Sequence, residues 1–234
     1  GGDRPGSWMA ICFTLPVPVA RQRLSAAWLA VIARHGTLRS GFAPGPDGVP
    51  VLEELEVTPG QWVEHPVASG QAVNDCVRDV LDADALAAYS ERARQEGVST
   101  LALTISAMTS TTRDLAGTAL RAVFPVHSRY EQRWHDSVGW FITNSVLESG
   151  DPDPSACAAA LKESLRLGSH PLAELMTPWG GMPEAPGMLA VSWLDMRRLP
   201  VTIDNQGLDA QYISAGIRTD GVMLWFVTDT SGIH

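Results

Sequence analysis

Adjacent histidines are absent from this sequence, and lysine nearly so: Lys162 stands alone against sixteen arginines. The arginines are scattered among more numerous acids, so the bias reads as GC-rich coding of the kind actinobacteria show, not as a basic patch. A net charge of −9 removes the attraction to phosphate that drives nucleic-acid binding. Cysteine is scarce. Cys12, Cys76 and Cys157 are odd in number, far apart and without a C-x-x-C pair, which argues against a disulfide scaffold and against structural zinc. The expectation is a reducing, cytoplasmic setting. No apolar run reaches the roughly 18 residues of a membrane span, and no signal-peptide pattern opens the chain. The histidines lack metal-ligand spacing. Ser106, Ser110, Ser145 and Ser214 lack the G-x-S-x-G context of a nucleophile elbow, which disfavours serine-hydrolase chemistry.

What is present suits one large domain or two modest ones, with 45% hydrophobic residues in 234. Ser7–Leu15 reads as a buried strand. Pro18–His35 reads as a helix with Leu24, Ala27, Trp28, Val31 and Ile32 on one face, stopped by Gly36. Leu38–Phe42 and Val49–Val57 flank the turn cluster Pro44-Gly45-Pro46-Asp47-Gly48 and predict a hairpin. Thr58–Asp75 is loop-like, and Cys76–Leu81 reads as a strand. Asp82 caps a helix Ala83–Gln95, and Ser99 caps a nearly all-apolar helix Thr100–Leu115 that ends at Gly117. Leu120–Val126 and Val138–Val146 read as strands. Pro152–Leu167 reads as a helix with Ala156, Ala160, Leu161, Leu165 and Leu167 inward. Pro171–Pro186 is a loop, and Met188–Leu194, Ala210–Ser214 and Met223–Thr228 are further strands. Helices in the middle and strands at the end make the class α/β or α+β.

The most informative stretch is Arg121–Leu147, an apolar strand, a loop rich in Arg and His, and a second apolar run opening Val138-Gly139-Trp140-Phe141 and closing on Asn144. That run resembles the V-G-x-F-V-N motif of peptide-synthetase condensation domains and related carrier-protein-dependent acyltransferases. Arg34-His35-Gly36-Thr37-Leu38-Arg39-Ser40-Gly41-Phe42 resembles their early R-H-E-x-L-R-T-x-F motif. Ser169-His170-Pro171-Leu172 is similar to a later H-Q-D-x-P-F segment, and Gly187–Trp193 falls where the family has a strand. The loop Trp179-Gly180-Gly181-Met182-Pro183 and the variant wording suit a free-standing actinobacterial branch.

The resemblance implies a two-lobed chloramphenicol acetyltransferase-like fold, with a first lobe at 1–81 and a second at 82–234. It implies acyl transfer from a carrier-protein thioester to an amine or hydroxyl, as in the biosynthesis of natural products such as antibiotics. No bound cofactor is implied, because the carrier partner supplies the phosphopantetheine arm. The family works through His-His-x-x-x-Asp-Gly, whose second histidine would be the base, and no such motif occurs here. Its place falls within Ala43–Asp82, so the sequence reads as incomplete there, near Gln71–Arg78, and at its end. No catalytic residue is therefore assigned. Arg39 is the expected support of the catalytic loop through the motif's aspartate. Gly139, Trp140, Asn144 and His170 are the expected tunnel or interface residues, with Gly139 and Trp140 mostly buried. His35 reads as a helix-end residue, and His127 and His135, the latter beside Asp136, read as polar loop residues. Two other readings stay open: a non-catalytic docking platform, and an acyltransferase using free acyl-CoA.

Overall fold

The computed structural model describes residues 9–63, 79–180, 187–199, 207–208, 211–214 and 221–234. The elements run β1 (Met9–Cys12), α1 (Arg21–Arg34), β2 (Ser40–Pro44), β3 (Pro50–Glu54), β4 (Leu81–Asp82), α2 (Ala83–Gln95), α3 (Thr100–Ala116), β5 (Leu120–His127) and β6 (Ile142–Ser149). Then come α4 (Pro154–Leu167), α5 (Leu172–Met176), β7 (Leu189–Asp195), β8 (Gln211–Ser214), β9 (Val222–Thr228) and β10 (Gly232–Ile233). The class is α+β with mixed sheets. The expected strand residues Ser7 and Cys76, and loop residues Gly181 to Pro183, lie outside the described residues.

Local chemistry sets the helix ends. The Asp82 carboxylate accepts the Ala85 N–H at 2.8 Å, and the Ser99 hydroxyl accepts the Ala102 N–H at 3.1 Å. Gly117 closes α3 in the left-handed region, at φ 65°. Asp153 caps α4 through Ser155 and Ala156, with Pro154 opening its first turn.

The main sheet has six strands in the order β4-β10-β9-β7-β5-β6. Leu120, Ala122, Phe124 and Val126 of β5, Leu147 of β6 and Val191 of β7 point to one face. There they meet Ile105 of α3 and Cys157 of α4 in a single core. Thr109 is fully buried, and its hydroxyl lies 2.9 Å from that of Ser149 and 2.8 Å from the Ile105 carbonyl, so the polar group is satisfied inside the core. The inward face of α4 differs from expectation. Cys157 and Ser164 are buried, with Ala160 and Leu161 packed beside them, while Leu165 and Leu167 are exposed. The helix period through Cys157 places Leu165 and Leu167 off the sheet-facing stripe, and small residues allow the close approach. A Cβ on Gly168 would meet Val126 at 2.4 Å.

The described residues also form two smaller sheets. β2 and β3 form the expected hairpin, pairing Phe42 with Leu52. β1 pairs antiparallel with β8, so Met9–Cys12 is hydrogen-bonded to a strand that lies between β7 and β9 in sequence.

Candidate functional site: an uncovered sheet face and its loop

Strand alternation gives the six-stranded sheet a second face, and among the described residues helices cover only the first. Register places Arg121, Val123, Pro125 and His127 of β5 beside Glu148, Val146, Asn144 and Ile142 of β6 on that second face. Val123 pairs with Ala190 of β7, and Ala190, Ser192 and Leu194 pair with Met223, Trp225 and Val227 of β9. Ile142, Val146, Leu194, Met223 and Trp225 are 44 to 57% exposed. Between the Arg121–Glu148 ion pair at one end, 3.1 Å long, and His127 at the other, these residues carry no charge. Asn144, opposite Pro125, supplies the carboxamide in this apolar field.

The sheet is also split. β7 and β9 are paired along their whole length, as are β5 and β6, but β5 and β7 meet at one position, Val123 with Ala190. Beyond it the facing backbone edges of β5 and β7 are not paired with each other, and backbone polar groups require partners. The stretch without further pairs runs towards the loop that joins β5 to β6.

That loop is closed at its base by the Ser128 N–H on the Phe141 carbonyl at 2.7 Å. The Arg129 guanidinium lies 4.4 Å from the Phe141 ring centre and donates to the His135 carbonyl at 2.9 Å. Arg133 lies 4.7 Å over Trp134, whose ring centre is 6.1 Å from that of Phe141. A Cβ at Gly139 would stand 3.0 Å from Phe141 Cε2 and 3.6 Å from Thr37 Oγ1. The loop therefore lies against the turn Gly36–Arg39 at Thr37, at ordinary contact distance, and the tighter neighbour of Gly139 is Phe141 of the loop itself.

With this geometry in hand, solved structures give the comparison. The first condensation domain of the CDA synthetase superposes over 96% of this chain and 83% of its own, at TM-score 0.65 and 11% identity. The condensation domain from the Monacolin K polyketide synthase MokA does so over 96% and 84%, at TM-score 0.66 and 12% identity. The chain has the condensation-domain fold. The PapA2 acyl transferase matches 67% of this chain at TM-score 0.58 and 17% identity, and the match spans 37% of that protein's length. No family model matches the chain, and no curated protein does.

Within this condensation fold the expected site residues separate. Asn144 lies exposed on the uncovered face. Gly139 is half-buried at the Thr37 contact, but in a loop and not in a strand. Trp140 is 86% exposed, which overturns its expected burial. The ladder of β6 begins at Ile142, two residues after Trp140, so no sheet register holds the indole inward. Arg39 forms an ion pair with Glu54 across the hairpin, and its Nε is buried without a hydrogen-bond partner. His170 follows α4 and is exposed, its N–H bonding back to the Leu167 carbonyl at 3.2 Å. His35 closes α1, its N–H bonding back to Val31 and Ile32. His127 stacks obliquely near Tyr130, with ring centres 6.2 Å apart. His135 and Asp136 are both exposed and share no hydrogen bond, as expected of loop residues.

Sequence reasoning missed Leu194, Met223 and Trp225 as site residues. The signal was present. The run Val222-Met223-Leu224-Trp225-Phe226-Val227 is apolar at both parities, the mark of a strand meant to be covered on both faces. Among the described residues, no helix is long and apolar enough to cross a membrane.

Proposed function

We propose that this chain belongs to a condensation-type acyltransferase that joins a carrier-bound acyl or aminoacyl thioester to an amine or hydroxyl acceptor in natural-product biosynthesis. The observation that carries the reading is the split, uncharged sheet face in a chain of this fold. A phosphopantetheine arm is a narrow chain with two amides and a thioester. The unshared backbone edges of β5 and β7 suit its amides, the apolar side chains around Ile142, Val146 and Trp225 suit its acyl cargo, and Asn144 offers a donor and an acceptor in the middle. The arm comes with a carrier protein, and the setting is the cytoplasm. These 234 residues do not include the His motif, so a general base of that kind would have to come from outside them. Arg39 stands at the turn that touches the loop, paired with Glu54, and on this reading would support the catalytic segment.

The test uses the full protein, a carrier protein charged with an acyl-phosphopantetheine thioester, and a panel of amine and alcohol acceptors, read by mass spectrometry. The expected result is loss of the acyl group from the carrier with formation of an amide or ester. Asn144→Ala is expected to slow transfer while leaving the fold intact, and Arg39→Ala to reduce both transfer and stability. His127→Ala and His135→Ala retain most activity. An intact charged carrier with every acceptor overturns the reading. Transfer from acyl-CoA alone replaces it with a free-thioester enzyme, and carrier binding without transfer replaces it with a docking platform.

A further inference from the structure

One cluster lies outside this reading. His234 follows β10 and exchanges backbone hydrogen bonds with Val227, at 2.9 and 3.1 Å, so it borders the uncovered face. Its Nδ1 is 2.8 Å from Asp79 Oδ1. Its Nε2 is 3.0 Å from Ser231 Oγ and 3.3 Å from Asp229 Oδ1. Ser231 Oγ and the Ser231 N–H also reach Asp229 Oδ1, at 2.5 and 2.8 Å. Among the described residues, Asp79, from the segment entering β4, and Asp229, from the β9–β10 turn, are the charged side chains within ion-pair distance of the ring. Neither β9, β10 nor α2 brings another so close.

The Ser231 hydroxyl has one proton and two acceptors in reach. With both ring nitrogens protonated, Nδ1–H donates to Asp79, Nε2–H donates to Asp229, and the Ser231 hydroxyl donates to Asp229. With Nε2 bare, its lone pair would face the Asp229 carboxylate. The hydroxyl then donates to Nε2, and Asp229 loses both the cation and that hydrogen bond. Meanwhile the backbone pairing of β4 with β10 is short, covering Leu81 and Asp82. It is extended by the Val80 N–H on the Ile233 carbonyl at 2.8 Å.

We propose that Asp79, His234, Ser231 and Asp229 form a proton-operated clasp that fastens the β9–β10 turn to the segment leading through β4 into α2. Burial pulls the His234 pKa down, but the hydrogen bonds and charges of Asp79 and Asp229 outweigh it and raise the group above its ordinary value. A group whose pKa is higher folded than unfolded contributes stability that is complete below the unfolded value and is lost as pH climbs through the folded one. The clasp is therefore closed in mildly acidic solution and loosens as the imidazolium gives up its proton, freeing this rim of the sheet.

Amide hydrogen exchange by NMR tests this, with Val80 as reporter and Leu147 of β6 as reference. After correction for base-catalysed intrinsic exchange, Val80 protection falls as pH rises through the His234 titration. The fall is at most about tenfold for each unit by which the folded pKa exceeds the unfolded one, because the Asp229 contacts within the turn can outlast the release of Asp79, while Leu147 is unchanged. Asp79→Asn lowers the imidazole pKa, read from ring chemical shifts, and shrinks the fall. His234→Gln abolishes the pH dependence. Constant Val80 protection across the titration of the unmodified protein overturns the clasp, as does a His234 pKa at or below that of a free imidazole.

Discussion

Residues 13–63 and the described residues from 79 onward form secondary structure by the same local rules but hold it in different ways. Between residues 13 and 63 no residue is buried. The apolar face predicted for α1 exists, yet Leu24, Trp28 and Val31 lie open, as do Phe42 and Leu52 on the hairpin. From residue 79 onward a core joins α3, α4 and three strands. A lone two-stranded hairpin is marginal in water. The elements of the first region are thus specified by pattern and turn chemistry and depend for stability on what covers them, whereas the second region supplies its own cover on one side of its sheet. The lesson is that amphipathic spacing reports a face that needs burying and leaves open what buries it.

The sharpest way to break the comparison is paired truncation. Leu120→Ala, in the core, is expected to cost about 3–4 kcal/mol of unfolding free energy, whereas Phe42→Ala costs under about 1 kcal/mol. Urea melts of the two variants would show it, and equal losses would refute the contrast. A smaller effect is expected inside the core, where Thr109→Val leaves Ser149 with one partner fewer and costs about 1–2 kcal/mol by the same melts. Smaller again is Trp140→Ala. With the indole exposed, the loss is expected to stay within about 0.5 kcal/mol, and a loss near that of Leu120→Ala would put the side chain back in an interface. On the acid side, the Arg197 guanidinium, hydrogen-bonded at 2.8 Å to each Asp195 oxygen, holds that carboxyl below its ordinary range against the opposing effect of burial. Its stabilisation is present above the unfolded pKa and is lost as pH falls through the folded one. Asp195→Asn is therefore expected to flatten the acid limb of a stability–pH curve.

Much of the fold was legible because its signals are local. Asp82 and Ser99 cap where they should, Gly117 ends α3, and the Pro44–Gly48 cluster turns the hairpin. The start of the sixth strand was misplaced because Val138-Gly139-Trp140 is as apolar as the strand that follows. The Ser128–Phe141 hydrogen bond, a tertiary feature, sets the boundary instead. Leu165 and Leu167 were read inward on hydrophobicity, whereas packing selected the small Cys157 and Ser164, which let α4 approach β6 closely. Of the site, Asn144 was legible through its motif. The split between β5 and β7 was not, because pairing of residues 67 apart in sequence (Val123 with Ala190) leaves no local trace. Nor was the His234 cluster, whose partner Asp79 is 155 residues away.

Native-state hydrogen exchange on the whole chain tests the central contrast most directly. Amides of α3, β5 and β6 should exchange only by global unfolding, while those of α1 and of the β2–β3 hairpin should exchange through local opening at far lower free energy. Equal protection in the two regions, with α1 as slow as α3, would contradict the account and require a core in residues 13–63.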